Sequence, residues 1–275
     1  MIGRKALPAE YREWNAYWGA PYGREEAAAL EVADRLEGFD RVDPHAFGPF
    51  AFQLTSDTRV FEYPWAYHTM EAKPGMRVLD VGAGLSGLQF VLAMEGCEVT
   101  NVDPSAKNGE WGSLSAAMWG LTPHNHQRMN DAFGVDVRLI PETVQDADLP
   151  EGTFDRALCL SVLEHLDQAD ARGILERVAA LLAPDGLFLV TVDLFFDVKP
   201  FGVLPANSYG GNIDVHQAVS GLGLELVYGD PRELLGFPEF DLERVVELVP
   251  DLLVSPRYPC ASQALVLRKP AGGAR

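Results

Sequence analysis

The stretch Arg77–Gly87, RVLDVGAGLSG, limits what this chain can fold into more than any other part of it. Val78 to Val81 read as a short buried strand, Gly82, Gly84 and Gly87 as a tight turn, and Leu88 to Glu95 as an apolar helix. A strand that passes through glycines straight into a helix belongs to an open α/β sheet, and the turn lets bare backbone approach a ligand. The spacing G-x-G-x-x-G suits many nucleotide-like ligands and does not choose among them. Asp80 does choose. It stands two places before the first glycine, at the carboxyl end of the strand. A pyrophosphate there would meet a carboxylate at close range, at a cost on the order of several kcal/mol in a partly desolvated site. A ligand with an ammonium and a sulfonium would be attracted instead. The plainer alternative is an ordinary turn between strand and helix.

With 275 residues, 47% of them apolar, the chain can bury one substantial core with an added cap. Its formal charge of −18 makes long polyanions poor partners, because docking on a phosphate backbone takes a basic face. Nucleic acid is therefore not an expected partner. Cys97, Cys159 and Cys260 sit in apolar, strand-like contexts and read as small buried hydrophobes of a reducing compartment, with no disulfide or zinc spacing. No run approaches the roughly eighteen apolar residues of a membrane span. A soluble, cytoplasmic protein without a membrane partner is expected.

Ahead of the glycine stretch, residues 8 to 19 place Tyr11, Trp14 and Trp18 on one face of a helix, either as a packing stripe or as a lid that excludes water. Arg24 to Gly38 reads as a second helix with a glycine stop. After irregular sequence from 39, Arg59, Glu62, Tyr63, Trp65, Tyr67 and His68 gather polar aromatics just before the strand. Beyond it, Cys97 to Val102 form a second strand that ends in Asp103, about twenty residues after the glycine turn, where a carboxylate suits both hydroxyls of a ribose. The alternative for Asp103 is a cap ahead of Pro104. Residues 104–127 are longer than a usual βα connection and carry Trp111, Trp119, His124 and His126. The His-x-His pair has no third ligand at a useful spacing, so no metal is expected.

The acidic residue followed by G-x-G resembles the glycine loop of the class I S-adenosylmethionine-dependent methyltransferases. Two further stretches carry the same resemblance in the right order: ETVQDADLPEGTFDRALCLSVLEHL over 142–166, and LLAPDG over 181–186, where Asp185 replaces the more usual second glycine. The resemblance covers about Lys73 to Val198 well and the carboxyl-terminal strands less well. It implies an α/β fold with a doubly wound, mostly parallel seven-stranded sheet, the Rossmann-like methyltransferase fold, and S-adenosylmethionine as cofactor. It assigns Asp80, Gly82, Ala83 and Gly84 to the methionine end of the cofactor, Asp103 and Pro104 to the ribose, and Asp146 and Ala147 to the adenine. Ser161, Glu164 and His165 then fall at the cleft end of the fourth strand, Phe154 to Leu160. Residues 1–72 form an N-terminal helical cap and 73–270 the core, with insertions at 104–127 and 194–214.

On this basis Arg59 can bind the cofactor carboxylate and Tyr63 can wall the pocket, with interdomain packing as the other option. The implied activity is methyl transfer to an oxygen, nitrogen or carbon of a small-molecule acceptor. Such a displacement needs alignment of the nucleophile and, where required, removal of its proton. His165, Asp193 and Tyr209 are the candidate catalytic residues, with His126 behind them. His165 is equally readable as a structural histidine at a helix start. The segment from 194 to 214 holds Asp197, Lys199, Asn207, Tyr209, Asn212 and Asp214 and serves either substrate recognition or capping of the next helix. Two rivals remain: a protein of the same fold that catalyses a non-methyl reaction such as cyclisation, and a non-catalytic binding module. The acceptor and the oligomeric state, a homodimer among the options, are not legible in the sequence.

Overall fold

A computed structural model describes residues 1–107, 120–256 and 258–271. The chain parts into two compact units, one of residues 8–148 and one of residues 1–7 with 149–275. Trp111, Trp119 and the end of the tail, 272–275, lie outside the described residues.

The 8–148 unit is built on three parallel strands in the order β3-β2-β1, where β1 is Arg77–Val81, β2 Glu98–Val102 and β3 Arg138–Ile140. Both β1 and β2 expose only their first residue and bury the remaining four, the pattern of parallel strands covered on both faces. The helix Gly87–Met94 links them, and Ser86 caps its start by accepting a hydrogen bond from the Leu88 N–H at 3.3 Å. The helix Pro123–Phe133 leads to β3, with Thr122 as N-cap, proline at its first turn and Gly134 in the left-handed conformation at its end.

In the same unit the aromatic face of the helix Ala9–Trp18 packs rather than standing open. Tyr11 stacks on His68 at 5.5 Å between ring centroids, and Trp14 meets Tyr67 at 5.2 Å and Phe50 at 5.6 Å. The polar aromatics before β1 form a helix, Arg59–Met70. The single helix expected over Arg24–Gly38 is corrected to a 3-10 turn, Glu25–Ala29, and a short helix, Val32–Glu37, separated by extended backbone at Leu30 and Glu31. Buried Arg35 supplies the reason. Its guanidinium takes the freed Leu30 carbonyl at 2.6 and 2.9 Å and the Ala51 carbonyl at 2.6 Å, so a tertiary bond outweighs the local helix propensity.

The other unit holds β4 Phe154–Leu160, β5 Leu182–Phe195, β6 Glu225–Tyr228 and β7 Cys260–Arg268, in the order β4-β5-β7-β6. β4 and β5 run parallel, and β7 lies antiparallel to both β5 and β6. The helix Gln168–Leu181 joins β4 to β5, with the Asp167 carboxylate accepting from the Ala169 and Asp170 N–H groups at 2.9 and 2.8 Å. The Pro-Asp-Gly turn lies within β5, where Asp185 takes a φ of 60° and its N–H bonds Lys269. Over both units the described residues hold seven strands, parallel but for β7, which is the mostly parallel α/β class expected. Cys97, Cys159 and Cys260 are buried and form no disulfide. No helix among the described residues is long and apolar enough to cross a membrane.

Candidate functional site

At the carboxyl end of β1 the chain turns through Gly82 and Gly84 at φ values of 71° and 60°. Residues with a Cβ rarely adopt that conformation. Gly82 donates to the Val102 carbonyl at 2.9 Å, which ties the turn to the end of β2. Gly84 is held on both faces of its peptide groups. Its N–H donates to Asp103 Oδ2 at 2.8 Å, and its carbonyl accepts from Asn101 Nδ2 at 3.0 Å and Gln89 Nε2 at 3.2 Å. Asp103 Oδ1 also accepts from the Ser105 N–H at 2.9 Å and the Ser105 hydroxyl at 2.6 Å, across Pro104. A carboxylate offers about four acceptor positions and three are used, so the cap leaves Asp103 one position for a ligand hydroxyl.

Asp80 is buried and sits beside Asp103 at the strand ends. Burial, and secondly the Asp103 charge, push its pKa from 3.8 up to about 7. A buried carboxylate that strains against ionisation, with a second carboxylate beside it, makes a site for a cation. Among the buried acceptors of this unit without a hydrogen-bond partner are Gln53 Oε1, Thr55 Oγ1 and Asn101 Oδ1. Acidic and amide oxygens around backbone that a Cβ would obstruct therefore fit the ammonium, hydroxyls and sulfonium of S-adenosylmethionine and do not fit a phosphate.

Sequence reasoning did not reach the support behind this turn. Gln89 Oε1 accepts from Asn101 Nδ2 at 2.9 Å and pairs with His126 Nε2 at 3.1 Å, so three buried polar side chains brace the Gly84 carbonyl. Burial lowers the His126 pKa to about 4, which keeps the ring neutral and makes it a donor to Gln89 rather than a base. The readable signal was a glutamine inside the apolar helix GLQFVLAM and an asparagine inside the strand EVTNV.

Arg59 and Tyr63 are both buried on the Arg59–Met70 helix. Arg59 Nη1 is paired with Glu62 Oε2 at 2.6 Å, and Tyr63 packs on Phe50 at 5.2 Å. Phe50 in turn covers Gly87, where an added Cβ would meet the ring at 2.7 Å. Tyr63 is thus linked to the glycine turn through Phe50. Asp146 is exposed, its Oδ2 accepting from Thr143 Oγ1 at 2.8 Å, and the buried Ala147 donates its N–H to the Thr143 carbonyl at 3.0 Å.

In the other unit Ser161 follows β4 with a φ of 49°. Its N–H bonds Thr191, and its hydroxyl lies 3.4 Å from Asp193 Oδ1 on β5. Both are buried. His165 Nδ1 bonds the Tyr209 carbonyl, which fixes a proton on that nitrogen and leaves Nε2 as the acceptor of the neutral ring. The Tyr209 ring stacks on Tyr258 at 4.0 Å. Several polar side chains of 194–214 are spent on backbone. Asn207 Oδ1 accepts from the Tyr209 and Gly210 N–H groups, Asn212 bonds both polar groups of the Phe195 backbone, and Asp214 caps the short helix Val215–Val219. Asp214 alone of these caps the following helix, while Asn207 and Asn212 tie down the loop itself. Among the described residues no group of three His, Cys, Asp or Glu side chains is placed to hold a metal ion.

A family model described as a methyltransferase domain matches residues 61–220. The chain belongs to that family, and with its seven-stranded fold it falls among the class I S-adenosylmethionine-dependent methyltransferases, whose cofactor is S-adenosylmethionine. Among curated proteins it is 31% identical over 143 residues to a ubiquinone biosynthesis O-methyltransferase of Nitrobacter winogradskyi, covering 52% of this chain and 48% of that protein. It is 30% identical over 147 residues to the protein of the same name from Bradyrhizobium diazoefficiens, covering 54% and 51%. The chain thus spans about half the length of these relatives. Among solved structures the (4+2)-cyclase SpnF superposes with a TM-score of 0.56 at 14% identity, over 92% of this chain and 98% of that one. Phosphoethanolamine N-methyltransferase 2 of Haemonchus contortus, in complex with phosphomonomethylethanolamine and S-adenosylhomocysteine, gives 0.51 at 16% identity, over 88% and 60%. At those identities the likeness is one of fold.

Proposed function

We propose that this protein transfers the methyl group of S-adenosylmethionine to a nucleophilic atom of a small-molecule metabolite. The observation that carries the reading is the buried Asp80 carboxylate beside Asp103 at the glycine turn, a pair that selects a cationic sulfur nucleoside. When bound, the cofactor supplies an electrophilic methyl on a positively charged leaving group.

Asp80 and the Gly82, Ala83 and Gly84 backbone bind the methionine end in this reading, and Asp103 with Pro104 the ribose. Asp146 and Ala147 border the adenine, Arg59 and Tyr63 complete the cofactor site of this unit, and in the other unit Ser161 is a further cofactor-binding candidate. His165 removes the acceptor proton through Nε2, with Asp193 and Tyr209 as the other candidates. Alignment of the acceptor does most of the work, since a charged leaving group needs little further activation. The name of the curated relatives supports oxygen as the acceptor atom. We further infer a cap formed by residues 1–72 on a core of 73–270, and a cytoplasmic protein that does not engage nucleic acid, in keeping with the charge of −18.

Calorimetry with S-adenosylhomocysteine, followed by label transfer from S-adenosylmethionine to phenolic and amine metabolites, tests the proposal. Binding is expected, and Asp103→Ala is expected to weaken it by about 1–3 kcal/mol through lost charge-assisted bonds. Absence of binding to the wild-type protein overturns the function. Binding without transfer to any acceptor favours a non-methyl reaction on the same fold. An unchanged dissociation constant in the variant removes Asp103 from the site.

A further inference from the structure

Gln53 follows the 3-10 turn Pro49–Phe52 with extended backbone at φ −137° and ψ 140°. Its carboxamide lies over the glycine turn. A Cβ placed on Gly84 would stand 2.8 Å from Gln53 Oε1 and 3.3 Å from both Cδ and Nε2. Phe50, three residues earlier, covers Gly87 in the same way. One short segment is therefore pinned along the turn at two points.

The oxygen of that carboxamide is buried and has no hydrogen-bond partner. An orphaned buried acceptor destabilises a fold unless a ligand brings the missing donor. Its surroundings say which donor. Gly84 N–H is already committed to Asp103, and the Gly84 carbonyl is itself an acceptor, held by Asn101 and Gln89, so Gly84 offers Gln53 no donor. An ammonium carries three N–H donors, more than one carboxylate can satisfy from one side. A neutral amide oxygen adds an acceptor without adding a third negative charge to Asp80 and Asp103.

We infer that Gln53 is a cofactor-binding residue whose Oε1 accepts a hydrogen bond from the α-ammonium of the cofactor's methionine end at Gly84. This rests on the proposed function and names a contact that the glycine motif does not contain. The residue reaches the turn from outside the strand-turn-helix unit.

The test uses the full chain and two probes, S-adenosylhomocysteine and methylthioadenosine, the second lacking the amino-acid end. Gln53→Leu should raise the dissociation constant for S-adenosylhomocysteine about tenfold, the loss of one charge-assisted bond. It should leave methylthioadenosine binding within about twofold and leave the melting temperature of the ligand-free protein equal or higher, because an unsatisfied polar group has been removed. Gln53→Met carries the same comparison if the leucine variant does not fold. Unchanged S-adenosylhomocysteine affinity, or equal losses for the two probes, overturns the assignment of Gln53 alone. Failure of the wild-type protein to bind either probe overturns the cofactor site as a whole.

Discussion

Asp80 should make cofactor binding depend on pH. Its pKa in the folded protein is about 7 against an ordinary 3.8, a gap worth about 4 kcal/mol at 1.36 kcal/mol per unit. Between about pH 4 and pH 7 the folded protein keeps a proton that the unfolded chain has lost. Stability of the ligand-free protein therefore falls as pH rises through that window, and the full cost is present above pH 7. A bound ammonium and sulfonium favour the charged carboxylate and draw the proton off. For a group titrating near 7, roughly one molecule in ten is ionised at pH 6 and nine in ten at pH 8, so affinity should drop about tenfold from pH 8 to pH 6. Calorimetry in two buffers of different ionisation enthalpy should record release of nearly one proton per cofactor at pH 6 and almost none at pH 8. Asp80→Asn should bind more weakly at pH 8 and abolish the pH dependence. A dissociation constant constant within twofold over this range, without proton release, would refute the claim that a cation faces Asp80.

Two further outcomes follow from packing and from the loop. Gly87→Ala places a methyl 2.7 Å from the Phe50 ring and 2.8 Å from the Pro49 backbone, so urea denaturation should show a loss of about 1–3 kcal/mol, and a change under 0.5 kcal/mol would contradict that contact. His165→Ala should lower turnover about 10²–10⁴-fold with cofactor affinity kept if the ring is the base. Equal losses with a lowered melting temperature, both restored by His165→Asn, whose amide can still donate to the Tyr209 carbonyl, would make the ring an anchor of the 207–211 loop.

The parts of the fold legible in sequence are those where local chemistry and tertiary demand agree. RVLDV and FDRALCL are of strand length with apolar residues in the majority, and a turn at Gly82 and Gly84 needs residues without a Cβ, so local sequence marks β1, β4 and the turn. Asp103 was legible because strand length fixes where β2 ends. Arg24–Gly38 was misread as one helix because no local rule registers that Arg35 captures the Leu30 and Ala51 carbonyls. The polar density of 194–214 suggested recognition of a substrate, yet an asparagine that binds a ligand and one that ties down its own loop have the same composition.

The sequence by itself determined the strand-turn-helix at Arg77–Gly87, the positions of Asp80 and Asp103 at the ends of two strands, and the family to which the chain belongs. Only the tertiary structure decided that Gln53 lies over Gly84, that Gln89, Asn101 and His126 brace its carbonyl, and that Asp80 and Asp103 share one buried field. The reason is separation along the chain. Gln53 is thirty-one positions from Gly84 and His126 thirty-seven from Gln89, and contacts across such distances depend on where whole elements pack, which spacing and propensity do not encode.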